Sequence, residues 1–244
     1  MGSSRSNILT GAVLGGLIAV GLVWSGSYLH SVGKIWQESN RIASVKGVAE
    51  RELKADMALW PVYFRVEAKD LASLQIELQK SEGLTRAFLK QQGFEDSELS
   101  LSPMKVNDRN EYGTAEKPVK NRYTGSAAVV VRTSKVDTVG SASRHTGELV
   151  SQGVLLSAGL YEGDDSYAPQ YQFTKLNDIK PDMIREATAN ARKAAEQFAS
   201  DSASHLGAIK NASQGYFTVE DLDRYTPDIK KVRVVTNIDY TLKD

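Results

Sequence analysis

The chain has 244 residues, with 30 Lys+Arg balancing 30 Asp+Glu, three histidines and no cysteine. Zero net charge argues against a general nucleic-acid binder, and an ordinary apolar share of 41% argues against wholesale disorder. The lack of cysteine excludes disulfide frameworks, thiolate-ligated zinc, iron–sulfur clusters and thiol nucleophiles, and His30, His145 and His205 leave most histidine-dependent mechanisms short of parts.

The first element is apolar. From Ser6 to Gly33 no residue carries a formal charge, apart from His30 if protonated. A helix over Ile8–Leu29 rises about 1.5 Å per residue and reaches about 33 Å, enough for a hydrocarbon core of about 30 Å. Trp24 and Tyr28 stand near its end, where amphipathic rings prefer the interface. Residues 1–33 therefore read as a membrane anchor or uncleaved signal that meets the lipid bilayer through residues 8–29. A cleaved signal has a shorter apolar region, and the only candidate cleavage site is near Ser25-Gly26-Ser27, so the uncleaved form is favoured. Gly11 and Gly15 form a GxxxG pair along which two such helices could approach. The opening Met-Gly-Ser-Ser-Arg-Ser fits the myristoylation pattern, but the hydrophobic segment makes a lipid redundant. Lys34, Arg41 and Lys46 outnumber Arg5 and the terminal amine, a count that would put the C-terminal side in the cytoplasm. Long C-terminal domains often translocate regardless, so charge alone leaves the orientation open.

Residues 34–43 form a polar linker, and residues 44–244 read as a folded domain. Met57–Ala68 is a strand whose Trp60, Val62, Phe64 and Val66 share a face at period two, with Pro61 implying an edge or a bulge. Asp70 suits an N-cap, and Leu71, Leu74, Leu78 and Phe88 follow one helical face until Gly93. Leu99–Val106 and Tyr123–Thr133 are two more strands, separated by the polar connector Asn107–Arg122. Val136, Val139, Leu149 and Val150 predict a second helix, weakened by Gly140 and Gly147 and ended by Gly153. Val154–Leu160 and Gln170–Leu176 are strands around an acidic loop, Tyr161–Pro169. The strongest helix has Pro181 in its first turn and Gly207 just past its end. Its face carries Ile184, Ala187, Ala191, Ala194, Ala195, Phe198, Ser202 and Leu206. Ala212–Val219 and the cleanly alternating Val232–Leu242 close the chain as strands. Hairpin-like links mixed with helical crossovers predict an α+β fold with antiparallel or mixed sheet and three main helices behind an N-terminal transmembrane helix.

The chain offers little chemistry. His145 and His205 have no metal-ligand spacing, and each has a simpler reading, His145 on a helix surface and His205 in the last turn of the long helix. Glu162, Asp164 and Asp165 lack the full calcium-loop spacing and read as a solvated acidic loop. There is no GxSxG and no phosphate loop. Lys117, Lys120 and Arg122 beside Tyr123 are too few to outweigh neutral charge as a nucleic-acid contact. No catalytic, cofactor-binding or metal-ligating residue is nominated, and the expectation is a protein that is not an enzyme.

Val45-Lys46-Gly47-Val48-Ala49-Glu50, followed by Lys54-Ala55-Asp56-Met57-Ala58, resembles the opening strand and Pro-Asp-x-Ala turn of the SIMPL-domain family, bacterial envelope proteins of poorly defined function. Ala55 stands where the proline is usual, and Ala49 where a second glycine is common. Leu89-Lys90-Gln91-Gln92-Gly93-Phe94, the strand Tyr123–Val131 with Val136-Asp137-Thr138-Val139, and the alanine-rich helix from Ala187 to Leu206-Gly207 are similar to later family segments in the same order. The resemblance spans about residues 42–244. It implies a domain outside the inner membrane, against the simple charge count. It also implies ring- or cage-like homo-oligomers and a link to envelope or oxidative-stress tolerance, without an established reaction.

The leading expectation is a single-pass inner-membrane protein with a self-associating periplasmic domain. The alternative is a binding module in which the 161–169 loop and the 107–122 connector recognise a small ligand or partner. An enzyme would need a cleft around carboxylates such as Asp164, Asp165 or Asp182.

Overall fold

The computed structural model describes residues 41–110, 120–157 and 168–243. The expected anchor over residues 8–29 lies outside them, as do Lys117, Glu162, Asp164 and Asp165. Among the described residues no helix is long and apolar enough to cross a membrane. The fold is α+β with antiparallel strands, divided into two compact units. One unit takes in the residues up to Glu50, Pro181–Phe217 and Arg233 onward; the other is Arg51–Lys180 with Thr218–Val232.

The larger unit is built on a six-stranded sheet. Its centre is a long ladder between β2 (Met57–Ala68) and β5 (Tyr123–Thr133), in register from Ala58 opposite Thr133 to Ala68 opposite Tyr123. Both strands have the bounds their composition predicts. Trp60, Val62 and Phe64 are buried on one side, with Val66 half-buried against the same core. Pro61 is not on an outer strand. It sits opposite Val130, in the interval between Met57–Leu59, which pair with β7 (Gln170–Gln172), and Phe64–Arg65, which pair with β6 (Leu155–Leu156). A strand can carry a proline where one neighbour is locally missing.

The expected single strand Leu99–Val106 is two, β3 (Leu99–Leu101) and β4 (Lys105–Asp108), both paired with β5. Pro103 lies in the break, and Ser102 bridges it: its N–H donates to Ala128 O at 2.9 Å while its Oγ accepts from Ala128 N–H at 2.9 Å.

Helix α1 (Leu71–Gln91) lays Leu74, Leu78, Phe88 and Leu89 onto this core. Asp70 caps it as expected, accepting from Ser73 N–H at 2.9 Å. Leu71 belongs to the cap rather than the buried face and is 56% exposed. At the far end Gly93 adopts φ +96°, its N–H reaches Lys90 O, and Phe94 N–H reaches Leu89 O. This paired closure needs a left-handed residue, which glycine supplies without a Cβ penalty. Gly153 (φ +88°) closes α3 (Gly147–Ser151) in the same way. The predicted second helix is thus α2 (Val136–Ser143) followed by α3, broken between them, and Val150 is exposed.

The smaller unit packs α4 (Leu176–Asp201), from Pro181 on, against β1 (Ile42–Lys54) and β10 (Ile229–Lys243), with β8 (His205–Gln214) beyond β10. Val232, Val234, Thr236, Ile238, Tyr240 and Leu242 are all buried, as their alternation predicts. β1 begins within the expected linker, with Ala43 buried. Its inward positions Ala43, Val45, Gly47 and Ala49 are small, and the helix answers with Ala187, Ala191, Ala195 and Ala199. Two small-residue faces let backbone approach backbone. The buried stripe recurs every four residues from Met183, so Ala194 and Phe198 of the expected face are exposed instead.

The ends of α4 depart from expectation. Leu176 begins the helix rather than ending a strand, which puts Pro181 in the second turn. The helix closes at Ala203, not Gly207: Ala203 N–H reaches Ser200 O and Ser204 N–H reaches Ala199 O, with Ala203 at φ +51°. His205, Leu206 and Gly207 consequently lie in β8. An alanine in the left-handed region is disfavoured relative to glycine by about 1 kcal/mol, so Ala203→Gly is expected to raise stability by about that amount in urea denaturation. The predicted strand Ala212–Val219 is divided by Gly215-Tyr216-Phe217, its last part forming β9 (Thr218–Asp221), which pairs with β10.

Candidate functional site

The segment after β1 shows what its motif does. Asp56 N–H donates to Gln172 O at 3.0 Å, and the Asp56 carboxylate accepts from Thr174 N–H at 2.8 Å and Thr174 Oγ1 at 3.0 Å. One aspartate therefore ties the corner before β2 to the chain between β7 and α4. Two hydrogen bonds to a charged acceptor are lost in Asp56→Ala, so a fall of about 2 kcal/mol is expected by chemical denaturation, with Asp56→Asn intermediate.

Within the same unit two neighbouring hollows share Ser143, Ala168 and Pro169. The first, about 260 Å³, is mostly apolar and opens over Trp60–Tyr63, the stretch of β2 between its β7 and β6 pairings. The second, about 330 Å³, is polar. Helix α2 supplies Asp137 and Gly140 and its C-cap residue Arg144, which follow one helical face at spacings of three and four. β7 supplies Tyr171, and the turn between β9 and β10 supplies Tyr225 and Asp228.

That turn is firmly built. Asp223 accepts from Tyr225 N–H at 2.7 Å, Thr226 N–H at 2.8 Å and Thr226 Oγ1 at 2.8 Å. The Thr226 hydroxyl, then the Tyr225 and Thr226 amides, hold the Asp223 carboxyl below its usual range. Asp228 O accepts from Ala55 N–H at 2.8 Å, which anchors the turn to the β1–β2 corner. The result holds Tyr225 at the cleft with its surface 90% exposed. Burial, and then the nearby Asp228 charge, push the Tyr171 phenol above its usual pKa, so it remains a neutral hydrogen-bond donor at ordinary pH. Asp137 is engaged by Lys54.

The residues weighed from sequence fall elsewhere. His145 is exposed in the turn between α2 and α3, with Nδ1 3.0 Å from Ser141 O. His205 opens β8 opposite Lys243. Asp182 is exposed on α4 and paired with Arg185 at 2.9 Å. Arg122 grips Asp108 with Nε at 2.9 Å and Nη2 at 2.6 Å and lies 5.1 Å from the Tyr123 ring centre, so its guanidinium is already committed. No cluster of three or more potential metal ligands occurs among the described residues. Of the two segments expected to recognise a ligand, 161–169 gives Ala168 and Pro169 to the cleft, while the described part of 107–122 gives nothing. Arg144, Tyr171, Tyr225 and Asp228 carry no short-range signal. The cleft residues come from three segments far apart in the chain, 136–144, 168–171 and 225–228.

No curated protein matches the chain. The SIMPL family, described as a protein of unknown function (DUF541), matches residues 43–234, most of the chain, and ends within β10. The match covers well over half of the chain, and the chain belongs to the SIMPL family.

Proposed function

We propose that the chain is a non-enzymatic protein of the bacterial envelope, anchored in the inner membrane by residues 8–29, whose periplasmic domain assembles with copies of itself into a closed ring or cage. The observation that carries the reading is strand β8. Among the described strands it ends the order β1–β10–β8, and every residue from Ala208 to Gln214 is exposed, on both faces of the strand. Ladder irregularities fall between Leu206 and Asn211, while Asn211–Gln214 pair regularly with β10. A regular edge strand open on both faces is a template for another strand, and repetition of one contact about a rotation axis closes a ring. Stress tolerance in the envelope is the process in which such an assembly would serve.

The test is the mass, by light scattering on a sizing column, of the detergent-solubilised full-length chain beside a version lacking residues 1–40. One large discrete species for both supports assembly by the folded domain. A large species only with the anchor moves the contact to the membrane helices, and single chains in both samples overturn the reading. The alternative, a periplasmic module that binds a small ligand, draws its support from the polar cleft beside α2.

A further inference from the structure

The polar cleft holds two opposite charges that do not meet. The Arg144 guanidinium and the Asp228 carboxylate both line it, and among the described residues neither enters an ion pair or a side-chain hydrogen bond. Asp137 differs, being matched by Lys54. Arg144 and Asp228 make no salt bridge with each other, so both charges remain for a molecule held in the cleft. Arginine presents a planar fork suited to a carboxylate. Tyr171 and Tyr225 also line the cleft, and an aromatic face attracts an ammonium group. The volume of about 330 Å³ suits a molecule of amino-acid size.

We propose that this cleft binds a small zwitterion, its carboxylate on Arg144 and its ammonium on Asp228 against the rings of Tyr171 and Tyr225. The proposal rests on the binding reading above and is independent of assembly. The Tyr171 hydroxyl lies close to Gly140, where an added Cβ would stand 3.5 Å from it, so a phenol adjoins helix backbone in the cleft lining. Tyr225 is held by the Asp223 turn without burying its ring, so a ligand would gain contact area there without reordering the loop.

The experiment uses saturation-transfer NMR on the full-length protein in detergent, with glycine betaine as the probe. Acetate and tetramethylammonium, each carrying one of its charges, are the controls. Betaine is expected to bind saturably, with Kd at least about tenfold below that of either control. Arg144→Gln and Asp228→Asn are each expected to weaken betaine about tenfold, and Tyr225→Ala severalfold. No saturable betaine signal, equal affinity for one of the single-charge controls, or variants that bind like the parent would each overturn the proposal. Tyr225 is so exposed that its removal cannot unfold the chain, which keeps the test decisive if a charge variant fails to fold. Light scattering on the same samples separates the two readings: lost binding in an intact particle sinks only the cleft, and retained binding in dispersed chains sinks only the assembly.

Discussion

Gly47→Ala is expected to destabilise the protein by about 3 kcal/mol, at the upper end of overpacking penalties. Gly47 lies in β1 where α4 crosses it, and an added Cβ would fall 1.8 Å from Ala187 O, 2.5 Å from Ala191 N and 2.8 Å from Ala191 Cβ. The first two are backbone atoms of a helix, so no side chain can rotate away. The helix must move as a body, yet Ala191 and Ala195 hold it against Ile238 and Tyr240, and Asn190 Nδ2 donates to Val48 O at 2.9 Å. Any retreat exposes that contact and opens space along the alanine stripe. Gly83→Ala is the matched control: its Cβ would meet nothing within 4 Å at an exposed position of α1, and the gain in helix propensity should raise stability by about 1 kcal/mol. Urea denaturation of both variants reads the two signs directly. An unchanged midpoint for Gly47→Ala would mean that α4 does not rest on β1 at this point.

The second large effect concerns association. The double substitution Ala212→Lys and Ser213→Lys is expected to reduce the assembled particle to the mass of single chains while the thermal melt of the subunit moves little. The two positions are consecutive on β8, so one lysine points to each face, and both are exposed. They also fall in the regular part of the ladder, opposite Ile238 and Asn237. Lysines along an edge strand repel an incoming copy and keep their ammonium groups in water only while the edge stays free. Exposed substitutions of this kind change subunit stability by about 0.5 kcal/mol or less, so dispersal without unfolding is the expected signature. A particle of unchanged mass would exclude β8 as the contact, and unfolding at unchanged association would count against assembly through this domain altogether.

Local pattern carried much of the fold. β2 and β5 have the bounds predicted from β-branched and aromatic runs, because a strand with one buried face must repeat at period two. β10 does so over six consecutive inward positions, and Asp70 and Gly93 mark the ends of α1 through bonds made within a few residues. These features depend on neighbours in sequence, and so they are legible there. The departures occur where a distant contact outweighs a local preference. Gly207 looks like a helix terminator but is required in β8 by Thr241, whose Oγ1 would stand 2.3 Å from a Cβ there; Ala203 takes the left-handed position in its place. Phe198 belongs to an apolar helical face in sequence, yet the stripe that meets the sheet is set by the smallest side chains, since only they admit close approach.

The candidate site was less legible for the same reason. Asp56 could be recognised as part of a turn motif, but its partner Thr174 lies 118 residues away. Arg144, Tyr171 and Asp228 come from a helix, a short strand and a hairpin turn, and nothing in their spacing announces that they face one hollow. The sequence by itself determined the absence of thiol chemistry, the apolar N-terminal stretch, the strands β2, β5 and β10 and the two long helices, because composition and short-range periodicity constrain these directly, and its ordered motifs carried the family. Only the tertiary structure decided that β8 is left open on both faces, that Gly47 must lack a side chain, and that a cation, an anion and two tyrosines line one cleft. Each is a relation between segments far apart in the chain, and chain closure fixes such relations only when the whole unit packs.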